Sequence, residues 1–169
     1  MRSIRFPILF LCSLAAAGPA HAQAREIRNM SSQSVHAQAT LGYTILYVQD
    51  VAASLAFYEQ AFGLARRFLH EEDGKAYGEL ETGAARLAFA SLKLVEGHLQ
   101  GGVTIAAPDK PPLGFEIALV SADVQALYDR ALKAGAASVS APEIKPWGQT
   151  VAYVRDTNGF LVELCTPLP

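Results

Sequence analysis

Two glutamates stand where a carboxylate is hard to keep. Glu163 lies inside Phe160-Leu161-Val162-Glu163-Leu164-Cys165, and Glu116 lies inside Gly114-Phe115-Glu116-Ile117-Ala118-Leu119. Among apolar neighbours a carboxylate must be paired, hydrogen-bonded, protonated or bound to a cation. If both point into one cleft, two converging oxygens suit a divalent metal, or one of them serves as a general base with a pKa raised by burial. The plainer alternatives are a solvated strand end for Glu116 and, for Glu163, an ion pair with Arg155 across a hairpin. A third feature is the loop Pro142-Glu143-Ile144-Lys145-Pro146-Trp147-Gly148-Gln149, which carries the one tryptophan of the chain. A rigid aromatic plate beside Lys145 and Gln149 suits the lip of a small-molecule pocket, and equally a Trp packed over the end of a sheet. The histidines offer less: His70 falls at a strand end, His98 in a long loop, His36 in the leader and His21 in the first segment. There is no Gly-rich phosphate loop, nucleophile elbow or cysteine cluster, so phosphate-loop, α/β-hydrolase and zinc-ribbon chemistry lack support.

The elements that must position these residues repeat. From Tyr43 to Val48 a short apolar run predicts a buried strand, and Asp50 follows at a capping position. Val51, Leu55, Tyr58 and Phe62 recur at helical spacing until Gly63 ends the pattern. Segments 64–70, 76–82 and 85–91 then read as strands, separated by Glu72-Asp73-Gly74 and Thr82-Gly83 turns. After a loop over 93–112 with Gly101-Gly102 and Pro111-Pro112 as breakers, the order restarts. Glu116 to Ser121 predicts a strand, Asp123 caps a helix through Val124, Leu127, Ala131 and Leu132, and Gly135 ends it. Strands follow at 137–141, 149–155 and 159–165, with Asp156-Thr157-Asn158-Gly159 as a hairpin turn. The Asp50–Gly63 and Asp123–Gly135 pairs recur at nearly the same interval, which argues for a duplicated strand-helix-three-strand unit. One such unit leaves a sheet face uncovered, so two must pair.

The chain has 169 residues, 51% of them apolar and 18% charged, with a formal charge of −2. That is the composition of one globular domain, and it gives no basic footprint for nucleic acid or an anionic membrane. Residues 1–22 read as a secretory signal peptide: Arg2 and Arg5 make a basic start, Ile8 to Ala17 is apolar apart from Ser13, and Ala20-His21-Ala22 is a cleavage pattern. The apolar stretch is shorter than the roughly 20 residues that span a bilayer. Cleavage would remove Cys12 and leave Cys165 as the one thiol, so the exported domain must rest on its core rather than on disulfides. Residues 23–40 have the Gln, Ser and Ala composition of a flexible leader. The expected organisation is therefore a domain over 41–169, with module 1 at about 41–92, a linker at 93–112 and module 2 at about 113–167. The expected location is periplasmic or secreted, with no membrane attachment after cleavage.

Tyr43 through Gly63, YTILYVQDVAASLAFYEQAFG, resembles the opening strand and helix of the vicinal oxygen chelate superfamily, which includes glyoxalase I and the bleomycin-resistance proteins. The ending, Trp147-Gly148-Gln149 through VAYVRDTNGFLVELCTP, resembles its closing hairpin. The resemblance covers about residues 41–167. It implies an α+β fold in which two βαβββ modules with curved, mostly antiparallel sheets form a cleft, within one chain or across a swapped homodimer. Metal-dependent members place ligands at positions that fall here on Tyr43, Ala88, Glu116 and Glu163. Glu163 matches the family glutamate, Glu116 is a carboxylate where histidine is commoner, Tyr43 replaces His or Gln, and Ala88 has no donor.

Two carboxylates and a neutral phenol are a poor set for zinc or nickel. Ordinary glyoxalase I chemistry, which needs a metal to stabilise an enediolate, is therefore not expected. The first functional expectation is a metal-independent binding protein of the bleomycin-resistance kind, holding a small molecule with Tyr43, Trp147, Gln149 and Arg155. The second is a lyase or isomerase in which Glu116 and Glu163 hold a divalent Mn, Ni, Zn or Fe ion, or Glu163 acts as base. A third is a protein interaction module, if side chains fill the cleft.

Overall fold

The computed structural model describes residues 39–169; the expected signal peptide, 1–22, and all but the last two residues of the expected leader, 23–40, lie outside the described residues. The first module contains β1 (Tyr43–Val48), α1 (Val51–Phe62), β2 (Arg66–Glu72), β3 (Lys75–Leu80) and β4 (Arg86–Ser91). A short helix, α2 (Leu92–Glu96), opens the linker. The second module contains β5 (Glu116–Val120), α3 (Val124–Lys133), β6 (Ala137–Ile144), β7 (Thr150–Arg155) and β8 (Leu161–Cys165). Each module forms a four-stranded sheet, in the orders β1-β4-β3-β2 and β5-β8-β7-β6. In each, the first strand pairs parallel to the last and the other pairings are antiparallel. The duplicated βαβββ unit expected from the sequence is thus the observed α+β architecture.

The helices start where the sequence supplies caps. Asp50 accepts from the Ala53 amide at 2.8 Å and Asp123 from the Ala126 amide at 2.9 Å, each satisfying an otherwise orphaned first-turn donor. Each helix lies on its own sheet, and α1 and α3 also pack against one another. Leu55, Tyr58 and Ala61 of α1 and Ala131 of α3 are fully buried in one continuous core with Phe89, Val154, Val162 and Leu164. A Cβ at Gly78 would stand 2.6 Å from Leu55 Cδ1, so the missing side chain lets α1 settle on β3.

Polar contacts reinforce the joint between modules. The buried Tyr58 hydroxyl donates to Asp156 Oδ2 at 3.0 Å, and Asn158 Nδ2 donates to Ser54 Oγ at 3.0 Å. Asp156 Oδ1 also accepts from the Asn158 and Phe160 amides at 2.9 and 2.8 Å, so one carboxyl shapes the β7–β8 turn and docks it on α1. Gly159, at φ 92°, is crossed so closely by the backbone of Ala107 and Pro108 that no side chain fits there.

Three expectations are corrected. The loop over 93–112 does not begin as loop: α2 occupies Leu92–Glu96, five residues that are too short to display a helical period. The loop assigned to 142–149 loses its first three residues to β6, which runs on to Ile144. Pro142 is tolerated there because the β6–β7 register shifts between Ser140 and Glu143, where a missing donor breaks no regular ladder. The second strand is displaced to Arg66–Glu72, with Asp73 and Gly74, both at positive φ, making the two-residue turn into β3.

The buried tie yields a stability test. Asp156→Ala strands the Tyr58 hydroxyl and two turn amides, and is expected to cost about 3 kcal/mol. Asp156→Asn, which keeps the turn acceptor, should cost less than half of that, as read from urea unfolding midpoints. Equal loss in both variants would show that the charge, rather than the hydrogen-bond pattern, holds the joint.

Candidate functional site

Alternation along the strands divides each sheet into a face against the helices and a face away from them. In the second module Val162 and Leu164 of β8, Ala152 and Val154 of β7, and Ile117 and Leu119 of β5 pack into the core. Glu163, Tyr153 and Glu116 therefore belong to the other face. The ladders bring them together: Glu163 is paired across from Tyr153 on one side and Ala118 on the other, and Glu116 lies two residues from Ala118.

Glu163 is the hub of this face. Tyr153 donates its hydroxyl to Glu163 Oε2 at 3.2 Å. The Glu163 charge also acts on Glu116 and on the buried Cys165 thiol two residues along β8. All three partners hold their protons more tightly than usual. Desolvation first, then the Glu163 charge and the hydrogen bond to it, raise the Glu116 carboxyl above its ordinary range. Desolvation and then Glu163 likewise raise the Tyr153 hydroxyl and the Cys165 thiol. A carboxyl beside a carboxylate is stabilised by sharing a proton, because two like charges in contact cannot both be solvated well. The arrangement can accept or deliver one proton through Glu116 and offers hydroxyl and carboxyl groups to a polar ligand.

The other sequence-predicted residues stand apart from this pair in their contacts. Arg155 turns to the linker, donating to Gly159 O at 2.5 Å, Lys110 O at 3.0 Å and Ala107 O at 2.8 Å. Trp147 is exposed and donates from Nε1 to Gln149 Oε1 at 2.8 Å, while the buried Gln149 donates to Thr166 O at 2.6 Å. This chain of bonds holds the indole plate against the end of β7. Tyr43 is 56% exposed at the start of β1, paired across from Arg86. On that strand face of the first module a second cluster forms around Glu79, which accepts from the Tyr77 hydroxyl at 3.0 Å and stands 3.7 and 3.5 Å from Arg67 and Arg86. Burial, then Glu79, push the Tyr77 hydroxyl up to about 12.

A cavity of about 620 Å³ opens beside β5. Glu116 to Ser121 line it from the second module with Leu127 and Arg130, and Thr44, Phe62, Leu64 and Arg86 line it from the first. Glu116 thus belongs both to the acid pair and to a cavity of ligand size.

The residues at the four metal-ligand positions do not fit a metal. Ala88 is fully buried and offers no donor, Tyr43 is a phenol, and burial and the Glu163 charge raise the Glu116 carboxyl, which weakens it as a charged ligand. Among the described residues no three His, Cys, Asp or Glu side chains gather as a metal-holding group. Sequence reasoning missed Tyr153 and Cys165 as companions of Glu163. The signal was available: Cys165 lies two residues from Glu163, and a hairpin through 156–159 brings Tyr153 opposite it.

The family model described as Glyoxalase/Bleomycin resistance protein/Dioxygenase superfamily matches residues 40–164. A search of curated proteins finds no match. Similar solved structures include a glyoxalase-related enzyme from Fulvimarina pelagi, with a TM-score of 0.63, 22% identity, and coverage of 76% of this chain and 88% of that one. A glyoxalase/bleomycin resistance protein/dioxygenase family enzyme from Burkholderia phytofirmans gives 0.56 and 20%, covering 76% and 98%. A glyoxalase/bleomycin resistance protein/dioxygenase from Nocardioides gives 0.58 and 18%, covering 86% and 92%.

The acid pair has a pH signature. Because the Glu116 carboxyl is raised in the folded state, its favourable contribution is present below the ordinary carboxylate range and is lost as pH rises through the folded value. Glu116→Gln removes that loss. Its thermal midpoint should match the parent near pH 4 and exceed it slightly at pH 8, since the exposed position of Glu116 screens the effect; a constant difference across the range would show that Glu163 does not raise Glu116.

Proposed function

The chain belongs to the glyoxalase/bleomycin resistance protein/dioxygenase superfamily, and from that membership we propose that it is an exported small-molecule-binding protein working without a resident metal. The observation that carries this reading is the Glu116–Glu163 pair itself. Glu163 accepts from the Tyr153 hydroxyl and its charge raises Glu116, which lines a cavity of ligand size, in the place where metal-dependent relatives carry charged ligands. Such a pair recognises a ligand by donating and accepting hydrogen bonds, while the apolar wall supplies most of the affinity. Residues 1–22 support export by their three-part pattern. The open edges of β1 and β5, with Val120 64% exposed, support association with a second copy.

A second reading has its own observation. A carboxyl with a raised pKa beside a hydrogen-bond acceptor can relay a proton, so an isomerase or lyase step at a carbon next to a carbonyl is compatible with Glu116 as acid and Glu163 as base. Metal content and turnover divide the two readings.

The deciding experiment is elemental analysis of residues 23–169 purified without chelator and then incubated with Mn, Ni, Zn and Fe salts, alongside Glu163→Gln. Under the binding reading, metal stays well below one equivalent in both proteins, and aromatic small molecules bind saturably by calorimetry. One equivalent of metal in the parent that disappears in Glu163→Gln would replace this reading with the enzymatic one.

A further inference from the structure

Two guanidinium groups border the cavity beside β5: Arg86 shares its carboxylate, Glu79, with Arg67, and Arg130 has none within 4.0 Å among the described residues. Arg130 projects from α3 and spends its Nε on the Ala61 carbonyl at 2.7 Å, a neutral acceptor at the end of α1. Among the described residues no carboxylate lies within 4.0 Å of it. The single bond to Ala61 fixes the direction of the fork and leaves its terminal nitrogens available. Arg86, from β4, approaches a carboxylate only through Nε, 3.5 Å from Glu79. That contact does not make a hydrogen bond, and Nε remains a buried donor without a partner. Glu79 is divided among Tyr77, Arg67 and Arg86, and Arg67 also reaches Glu81 at 3.6 Å. Within the cavity itself the two guanidinium groups face one carboxyl, Glu116, which burial and the Glu163 charge raise.

Thr44, Thr82, Glu116 and Ser121 add polar groups to the wall, and most of the remainder is apolar. Phe62, Leu64, Ile117 and Leu127 come from both modules, and Phe62 and Leu127 are buried residues of the shared core. A cavity that joins an apolar lining to uncompensated guanidinium groups selects a ligand with the same division: a compact hydrocarbon or aromatic body ending in an anion.

Accepting the binding role above, we infer that this cavity takes small amphipathic carboxylates, with the carboxylate held by Arg130 and Arg86 and the apolar body against Phe62, Leu64 and Leu127. Glu116 stands at the same wall, so the hydrogen-bonding pair of the neighbouring strand face meets the same ligand.

The test compares 4-phenylbutyrate with its uncharged amide, 4-phenylbutanamide, by isothermal titration calorimetry against residues 23–169, the full mature chain. The acid should bind saturably and at least tenfold more tightly than the amide. Arg130→Gln should weaken the acid tenfold or more and leave the amide unchanged, with Arg86→Gln having a smaller effect in the same sense. Ala85→Trp, which fills the cavity from the β3–β4 turn and leaves both guanidinium groups in the chain, should weaken both compounds. Thermal melts of each variant establish that it is folded. If the acid and amide bind equally and Ala85→Trp abolishes both, small-molecule binding stands and the anionic selectivity is overturned. If neither compound binds the parent, or if Arg130→Gln folds and binds the acid as well as the parent does, the assignment of this cavity is overturned.

Discussion

Helix α1 lies on one sheet yet finds its buried hydrogen-bond partner in the other module, and the rest of the structure depends on that bond between Tyr58 and Asp156. A βαβββ unit has one helix to cover four strands, too little to seal a core alone. Docking α1 against α3 and the β7–β8 turn lets both sheets share one apolar interior. A phenol and a carboxyl taken out of water within that interior are tolerated because they satisfy each other and, through Asp156 Oδ1, two turn amides. The same turn then presents the Gly159 carbonyl to Arg155, which clamps the linker between modules.

That joint has a chemical consequence at a distance. The turn held by Asp156 starts β8, whose alternation directs Val162 and Leu164 into the core and Glu163 to the opposite face. A one-residue slip of the turn would bury the carboxyl among leucines and expose the core residues instead. Precise register at β8 is what places Glu163 beside Tyr153 of β7, and the parallel β5–β8 pairing then carries Glu116 to it.

The fold was legible because its determinants are local and repeated: Asp50 and Asp123 cap, Gly63 ends a helix with φ 71°, and the apolar runs between them have unambiguous periods. Helix α2 escaped notice because five residues hold little more than one turn, and the extension of β6 past Pro142 because a bulge is a relation between two strands. The carboxylate pair was half legible. An acid in an apolar strand announces that it needs a partner, but it does not name one; Arg155, the nearest basic residue along the hairpin, is drawn away by three carbonyls of the linker and turn. Partners supplied by register, such as Tyr153, can be inferred once the turn is known. Partners supplied by the meeting of modules, such as Arg86 and Arg130 on one cavity, have no trace in local sequence.

The superfamily places oxygen and nitrogen donors on strands that converge, and this chain keeps the scaffold while changing what the donors can do. A metal ion requires several ligands whose lone pairs are free together. Here Ala88 supplies none, and burial together with the neighbouring Glu163 charge raises the Glu116 carboxyl, which disfavours two full charges side by side. With Arg86 and Arg130 on the adjoining cavity wall, the ligand proposed for this chain is an organic anion rather than a cation, because the charge that a ligand meets there is set by guanidinium groups more than by the one carboxyl.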